Sequence, residues 1–581
     1  MNRIKKIVRY SVLGLSILLG FVACEDIFNT ESTSTINLDN YFESAHDIDN
    51  AARGMYDGLQ GCVEKMLIWG EIRGDLVDAT EKSSWEIKEF DDLAISASNK
   101  YTDWSKFYDV INRANLIIKY ADRVVEKDFT FKPIEAEQFV AEAVNVRSLC
   151  YFWLVRSFGD VPFITEPFDE NYNEFKTDTI WDEDGSFSIE SMPIFRIDPL
   201  DADMILDSLE LHLKNVEDIE RAYPQETDDG GTRNPMVYSS RFKAISNLAL
   251  QADIKLWRNK YQEVIDITNK AFDLNHEQYS LGDYQGAPVC YDNSGNPVQR
   301  WIDIFAGEGS LAPEVILEIR FQSSTPDLNI LQKYTSRDPL EGGAYIIKPT
   351  DKVINYWQED KFWGKRYIDT MDIMRGYNAS FTGEFDSISG KWLNPEIFKF
   401  IVAGTDGKRR NGFESDANWN LYRMADVLCL YCEAYNRLGY YRASIEKLQG
   451  TPYWDTRWSF KPENEGPMGL RKRACVKEYI SSNDPSPDLL EAEEIILEER
   501  AKELAFEGRR WFDLIRIAKR GQMELFLDEM ESSVTEDKKS YIRSQASNPE
   551  NWFLPYNEEA RKNFINPNYK NKAIEKIKAV L

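Results

Sequence analysis

Three histidines in 581 residues, His46, His212 and His276, leave the chain almost no imidazole, and none stands beside a Ser or Cys signature or at metal-ligand spacing. A histidine-driven reaction centre is therefore not expected. No phosphate-cradling P-loop and no dinucleotide glycine fingerprint occurs either. Positive charge is scarce: 70 Lys and Arg stand against 98 Asp and Glu, for a formal charge of −28. Binding a phosphate backbone needs a concentrated basic face, so nucleic acid is excluded as a partner. The seven cysteines lack the spacing of a disulfide framework. Cys429 and Cys432 form a C-x-x-C inside an apolar helical run, with no second pair or nearby His to complete a zinc site, and read as small buried thiols.

What is present begins with a leader. Arg3, Lys5, Lys6 and Arg9 form a positive segment, Ser11 to Val22 an apolar one, and Val22-Ala23 precede Cys24. The apolar run is short of the roughly 20 residues that cross a bilayer as a helix, so it reads as an export signal. A small residue followed by Cys at the junction predicts lipoprotein processing, with Cys24 acylated as the new amino terminus. Removing the leader's four basic residues takes the formal charge from −28 to −32. A negatively charged membrane surface repels such a body, so membrane association is expected to come from the lipid anchor. The expected organisation is a signal peptide at 1–23, a polar tether at 24–40, and two regions, 41–300 and 301–581, packed as one globular unit.

Apolar residues at three- and four-residue spacing predict a mainly α fold. Helices are expected over Tyr101–Lys127, Glu135–Phe158, Leu200–Val216, Ser239–Trp257, Tyr261–Phe272, Leu421–Leu438 and Leu489–Lys519. In the last, Leu497, Ala501, Leu504, Gly508, Trp511, Ile515 and Ala518 make one stripe, with Gly508 small enough to let another backbone approach. Two segments, Phe242 into the helix from Tyr261 and Tyr422 into the helix from Tyr441, read as tetratricopeptide-like hairpins. Four insertions rich in Gly, Pro, Asn and Asp interrupt them: Ala222–Met236, Ser280–Trp301, Ser323–Gly343 and Arg375–Gly412. Alternation over Glu314–Phe321 predicts a strand.

Five separated signatures then carry a resemblance to the SusD/RagB family. Tyr41-Phe42 precedes an Ala-rich helix ending in Gly54-Met55-Tyr56. Ala141-Glu142-Ala143 leads through Arg147 to Tyr151–Pro162. Leu421–Asp426 opens a helix ending near Glu433–Arg437, Glu499–Ala505 runs into FEGRRWFDLIR at Phe506–Arg516, and Phe553-Leu554-Pro555 precedes Asn566-Pro567-Asn568-Tyr569. The resemblance implies a SusD-like α-helical fold with tetratricopeptide-like hairpins as scaffold, long loop-rich insertions and a few short strands. It also implies a lipid-anchored protein exposed on the outer membrane, partnered by a SusC-like TonB-dependent transporter, that binds oligo- or polysaccharide and delivers it for import. Peptide binding, as in RagB-like relatives, and surface glycoside hydrolysis are the alternatives. No cofactor is expected, with a structural calcium in the acidic loops left open.

Binding without chemistry agrees with the aromatic supply, 13% of residues with 15 Trp and 29 Tyr, because flat rings stack on the C–H faces of sugars. Glu503 and Glu507, one helical turn apart, have the form of a glycosidase acid/base pair, but in so acidic a chain such a pair reads first as structural. The family's ligand surface lies on loops from the amino-terminal region and the middle insertion. On that basis the expected glycan contacts are Arg73, Trp85, Trp301, Tyr345, Trp363 and Trp392.

Overall fold

The computed structural model describes residues 41–168, 175–181, 187–193, 196–219, 240–274, 301, 304–305, 314–321, 329–360, 371–372, 375–402, 409, 417–450, 469–474 and 476–580. Cys24, the leader, the tether, Trp363, Cys290 and Cys475 lie outside them. Among the described residues, the helices of eight residues or more are α1 (Ala45–Gln60), α2 (Ser105–Lys127), α3 (Pro133–Phe158), α4 (Ala202–Asn215), α5 (Ala244–Trp257), α6 (Tyr261–Leu274), α7 (Asp351–Glu359), α8 (Met424–Arg437), α9 (Tyr441–Gln449), α10 (Leu489–Leu504), α11 (Arg510–Lys519), α12 (Met523–Ser532), α13 (Lys539–Ala546) and α14 (Lys572–Val580).

Consecutive helices pack as neighbours: α1 on α2, α2 on α3, α5 on α6 and α8 on α9, with α6 then meeting α8 and α8 meeting α10. The two hairpins read from the sequence are α5–α6 and α8–α9. Helix α3 lies at the centre, buried continuously from Ala141 to Phe158. A helix apolar all round belongs inside a core, which is why its last turns read Tyr151-Phe152-Trp153-Leu154-Val155. Arg156 is carried inside with them because Asp253 receives it at 3.2 Å and Phe152 and Phe512 cover its guanidinium. One apolar cluster runs from Phe42 to Phe564.

Strands come in antiparallel pairs. β1 (Val77–Ala79) pairs with β5 (Ile347–Pro349), β2 (Phe175–Trp181) with β3 (Phe187–Pro193), β4 (Val315–Ile319) with β8 (Trp419–Arg423), and β6 (Phe381–Asp386) with β7 (Lys391–Ile397). The strand expected at 314–321 is β4.

Three expectations change. Leu421 to Arg423 belong to β8 and the helix begins at Met424, because these residues satisfy their backbone across to β4. The insertion Arg375–Gly412 contains the β6–β7 hairpin. The helix expected over Leu489–Lys519 is two helices, α10 and α11, broken at Ala505–Arg509, where Phe506 (φ 73°) and Gly508 (φ 72°) turn left-handed. The cause lies far away in sequence. The short helix Val63–Leu67 widens into a π-helical turn, Ile68–Ile72, that carries the buried Glu71 to the break. Its carboxylate accepts the N–H groups of Phe506 (2.7 Å), Gly508 (2.9 Å) and Arg509 (3.2 Å), which a continuous helix would have bonded within itself. Gly508 does admit another backbone: a Cβ on it would stand 2.9 Å from Met66 O, and one on Gly70 would stand 1.8 Å from Gly508 O.

Candidate functional site

The pairing of β1 with β5 brings the amino-terminal loop against the middle insertion. Its register sets Ala79 opposite Ile347, and the contact continues beyond the strand, with Thr80 N–H donating to Ile346 O at 3.0 Å. The Thr80 hydroxyl donates to Tyr345 O at 2.5 Å, and the Ser83 hydroxyl to Ile346 O. Two residues on, Trp85 opens the short helix Trp85–Asp91 and is 55% exposed.

Tyr345 is the fixed point of this face. Its backbone is left-handed (φ 51°), a conformation that a bulky residue holds only where its surroundings impose it. They do so from three sides. The Tyr345 N–H donates to Ser336 O (2.9 Å), its carbonyl accepts Thr80, and its hydroxyl donates to Pro395 O (2.8 Å) at the end of β7. Burial pushes the phenol up to about 12, so it stays a neutral donor. Beside it Arg337 donates to the carbonyl of Asn394 (2.9 Å), itself left-handed at φ 47°.

β5 lies against β7, so the hairpin joins the same face. Trp392 on β7 sits opposite Phe385 in register, with ring centroids 5.2 Å apart, and packs on Tyr377 (4.8 Å) and Phe381 (5.1 Å). Phe385 is 51% exposed and Ile388, at the turn, 96%. The local glycines suit this hairpin: Gly390 (φ 70°) supplies the left-handed turn residue, with nothing near it.

Of the six residues expected at a ligand surface, Trp85, Tyr345 and Trp392 come from segments joined in this way. Two others are corrected. Arg73 is fully buried, donating to the carbonyls of Trp69 (3.0 Å) and Trp552 (3.1 Å) with its guanidinium 4.7 Å over Trp511. It holds the π-helical turn to the carboxyl-terminal segment and does not reach a ligand. Trp301 is 5% exposed, packs on Phe305, and lies under Lys399 (5.2 Å) and Arg423 (5.5 Å) as a core ring. Trp363 lies outside the described residues. Phe385 escaped notice, although the alternation of 381–386 and 391–397 about Gly390 is a hairpin signal.

Glu503 and Glu507 are buried in an ion-pair web. Arg423 Nη1 donates to Glu503 (2.6 Å) and to Glu314 (2.7 Å), while its Nε and Nη2 donate to Glu507 (3.0 and 2.9 Å). Lys399 adds a further bond to Glu507 at 2.9 Å, and Arg375 reaches Glu503 at 3.3 Å and Glu499 at 2.7 Å. Carboxylates so engaged and so far from water serve cohesion, as their helical spacing suggested. The thiols of Cys429 and Cys432 are likewise buried, and burial raises both. Among the described residues no group of three or more His, Cys, Asp or Glu is placed to hold a metal ion, and no helix is long and apolar enough to cross a membrane.

Stacked helix hairpins that hold up a loop-built aromatic face define a scaffold whose business is display. Known proteins with this design are recognisable from the chain. Residues 355–572 match the family model described as "SusD family", and residues 29–180 match one described as "Starch-binding associating with outer membrane". SusD-like protein P38 of Formosa agariphila is 25% identical over 524 residues, covering 86% of this chain and 88% of that protein. SusD-like protein P2 of the same organism is 23% identical over 530 residues, covering 88% and 90%. A SusD superfamily crystal structure from Bacteroides vulgatus superimposes with a TM-score of 0.64 at 17% identity, over 90% of this chain and 98% of that one. A laminarin-binding SusD-like protein does so with a TM-score of 0.57 at 16% identity, over 91% and 100%. The chain belongs to the SusD family.

Proposed function

We propose that this protein captures oligo- or polysaccharide at the face built from Trp85, Tyr345 and the β6–β7 hairpin, and delivers it to a SusC-like TonB-dependent transporter while anchored to the outer membrane through a lipid on Cys24. The observation that carries the reading is the immobilised, left-handed Tyr345, tied through Thr80 to the loop that bears the exposed Trp85 and through Pro395 to the strand that bears Trp392. Backbone strain held in place by hydrogen bonds from separate segments is what a preorganised binding surface requires. The laminarin-binding relative supports a sugar ligand, and the family's description supports an outer-membrane location. In this reading capture leaves the glycan intact, in keeping with the burial of Glu503 and Glu507 in ion pairs.

The test is affinity electrophoresis of the mature protein through gels containing plant, host and microbial glycans, with an oligopeptide library in parallel and a reducing-end assay on each glycan. Retardation by a glycan without new reducing ends is expected. Peptide capture with no glycan retardation would replace the ligand class, and new reducing ends would make the protein a hydrolase. Mass spectrometry of the amino-terminal peptide should find Cys24 acylated, and a SusC-like protein should co-purify from membranes.

A further inference from the structure

We propose that the glycan bound at this face carries acid groups, uronate carboxylates or sulfate esters, and that Lys82 and Arg337 read them. The inference rests on the reading of the face as a glycan surface and specifies the class of glycan. Lys82 and Arg337 are both exposed, and among the described residues neither side chain forms an ion pair, although the Arg337 backbone N–H donates to Glu396 at 2.8 Å. Both converge on one ring: the Lys82 ammonium and the Arg337 guanidinium each lie 5.9 Å from the Tyr345 centroid. Since Tyr345 is fixed by its own backbone and hydroxyl, the two cations lie over a fixed ring. An acidic sugar docking at this ring would meet both. Arg337 keeps its orientation through its bond to Asn394 O, and its remaining N–H groups suit the forked geometry of a carboxylate or sulfate, while Lys82 suits a point charge.

Two of the neighbouring carboxylates are held by other cations, Asp78 by Lys348 at 3.4 Å and Glu396 by Arg409, while Asp338, which accepts Leu340 N–H at 2.9 Å, keeps its charge. Glu81 remains exposed nearby and sets a limit on how close a polyanion approaches that edge. The repulsion of the acidic body as a whole is screened beyond roughly 10 Å at 0.1 M salt, so the local pair decides.

The experiment compares retardation by laminarin, a neutral glucan, alginate, a polyuronate, and a carrageenan, a sulfated galactan. Wild-type protein should be held more strongly by an acidic polymer than by laminarin, and alginate against carrageenan distinguishes carboxylate from sulfate. Lys82→Gln with Arg337→Gln should weaken acidic binding about ten-fold more than it weakens laminarin binding in the same variant, while Lys82→Arg retains acidic binding. Equal or tighter binding of laminarin, or unaltered acidic binding in the double variant, overturns the proposal while the glycan reading stands. Retardation by no glycan at all sinks both.

Discussion

The carboxylate of Glu71 accepts the N–H of Gly508 at 2.9 Å, joining a π-helical turn near the amino terminus to the break between α10 and α11. Burial raises this carboxyl to about 7, against its three N–H donors and Lys399, which pull it down. A carboxyl raised on folding takes up protons as the chain folds. Its contribution to stability is therefore complete below about pH 4.5 and is lost as pH rises toward about 7, with no further change above. The span corresponds to about 3 kcal/mol. Thermal melts from pH 4.5 to 7.5 should show this slope in the wild type and lack it in Glu71→Gln. That variant should also melt lower throughout, since its amide turns N–H groups toward backbone donors. Parallel slopes in the two proteins would refute the assignment.

Gly70 packs on the same break so closely that an added methyl has no room, its Cβ falling 1.8 Å from Gly508 O. Gly70→Ala should yield insoluble protein or lose more than about 3 kcal/mol. Gly54 in α1 is the control: a Cβ added there would meet only the Arg113 guanidinium, at 3.7 Å, so Gly54→Ala should gain about 0.5–1 kcal/mol from helix propensity. Urea denaturation of both, with matched m-values, reads the difference.

Arg423 bridges Glu314, Glu503 and Glu507 inside the protein. Arg423→Met takes a shared cation from three buried carboxylates and should cost about 3–5 kcal/mol. Glu503→Gln with Glu507→Gln should likewise depress stability or soluble yield. A well-folded double variant that had lost a hydrolytic activity present in the wild type would return these residues to catalysis.

Trp85 and Trp301 should separate binding from folding. Trp85→Ala removes an exposed ring, so glycan retention should fall while the melt stays within about 0.5 kcal/mol of wild type. Trp301→Ala empties a core position beside Lys399 and Arg423 and should cost about 3–5 kcal/mol. The reverse pattern in chemical denaturation and gel retardation would exchange their roles.

These two tryptophans also show what a sequence discloses. Apolar spacing gave α2, α3, α5, α6 and the hairpin α8–α9 to within a few residues, because it reports which side of a helix is buried. It does not report whether the backbone between buried residues is continuous. The stripe from Leu497 to Ala518 passes unbroken through Phe506–Arg509, where the decisive partner is Glu71, hundreds of residues upstream. Ring chemistry marked Trp85, Tyr345 and Trp392 as sugar-stacking types, yet it marked Trp301 equally, and that ring lies in the core, as does the guanidinium of Arg73. Residue type states what a side chain can do; only the pairing of β1 with β5 and of β5's neighbourhood with β7 decides which of them meets water.

Tyr345 has a further bearing on whatever lands beside it. A ring already held through its amide, its carbonyl and its hydroxyl has no torsional freedom left to surrender, so the entropy of immobilisation falls on the incoming chain alone. Stiff, helically persistent polymers lose less on docking than supple ones, so if this face binds glycan as proposed it ranks ligands by rigidity as much as by composition.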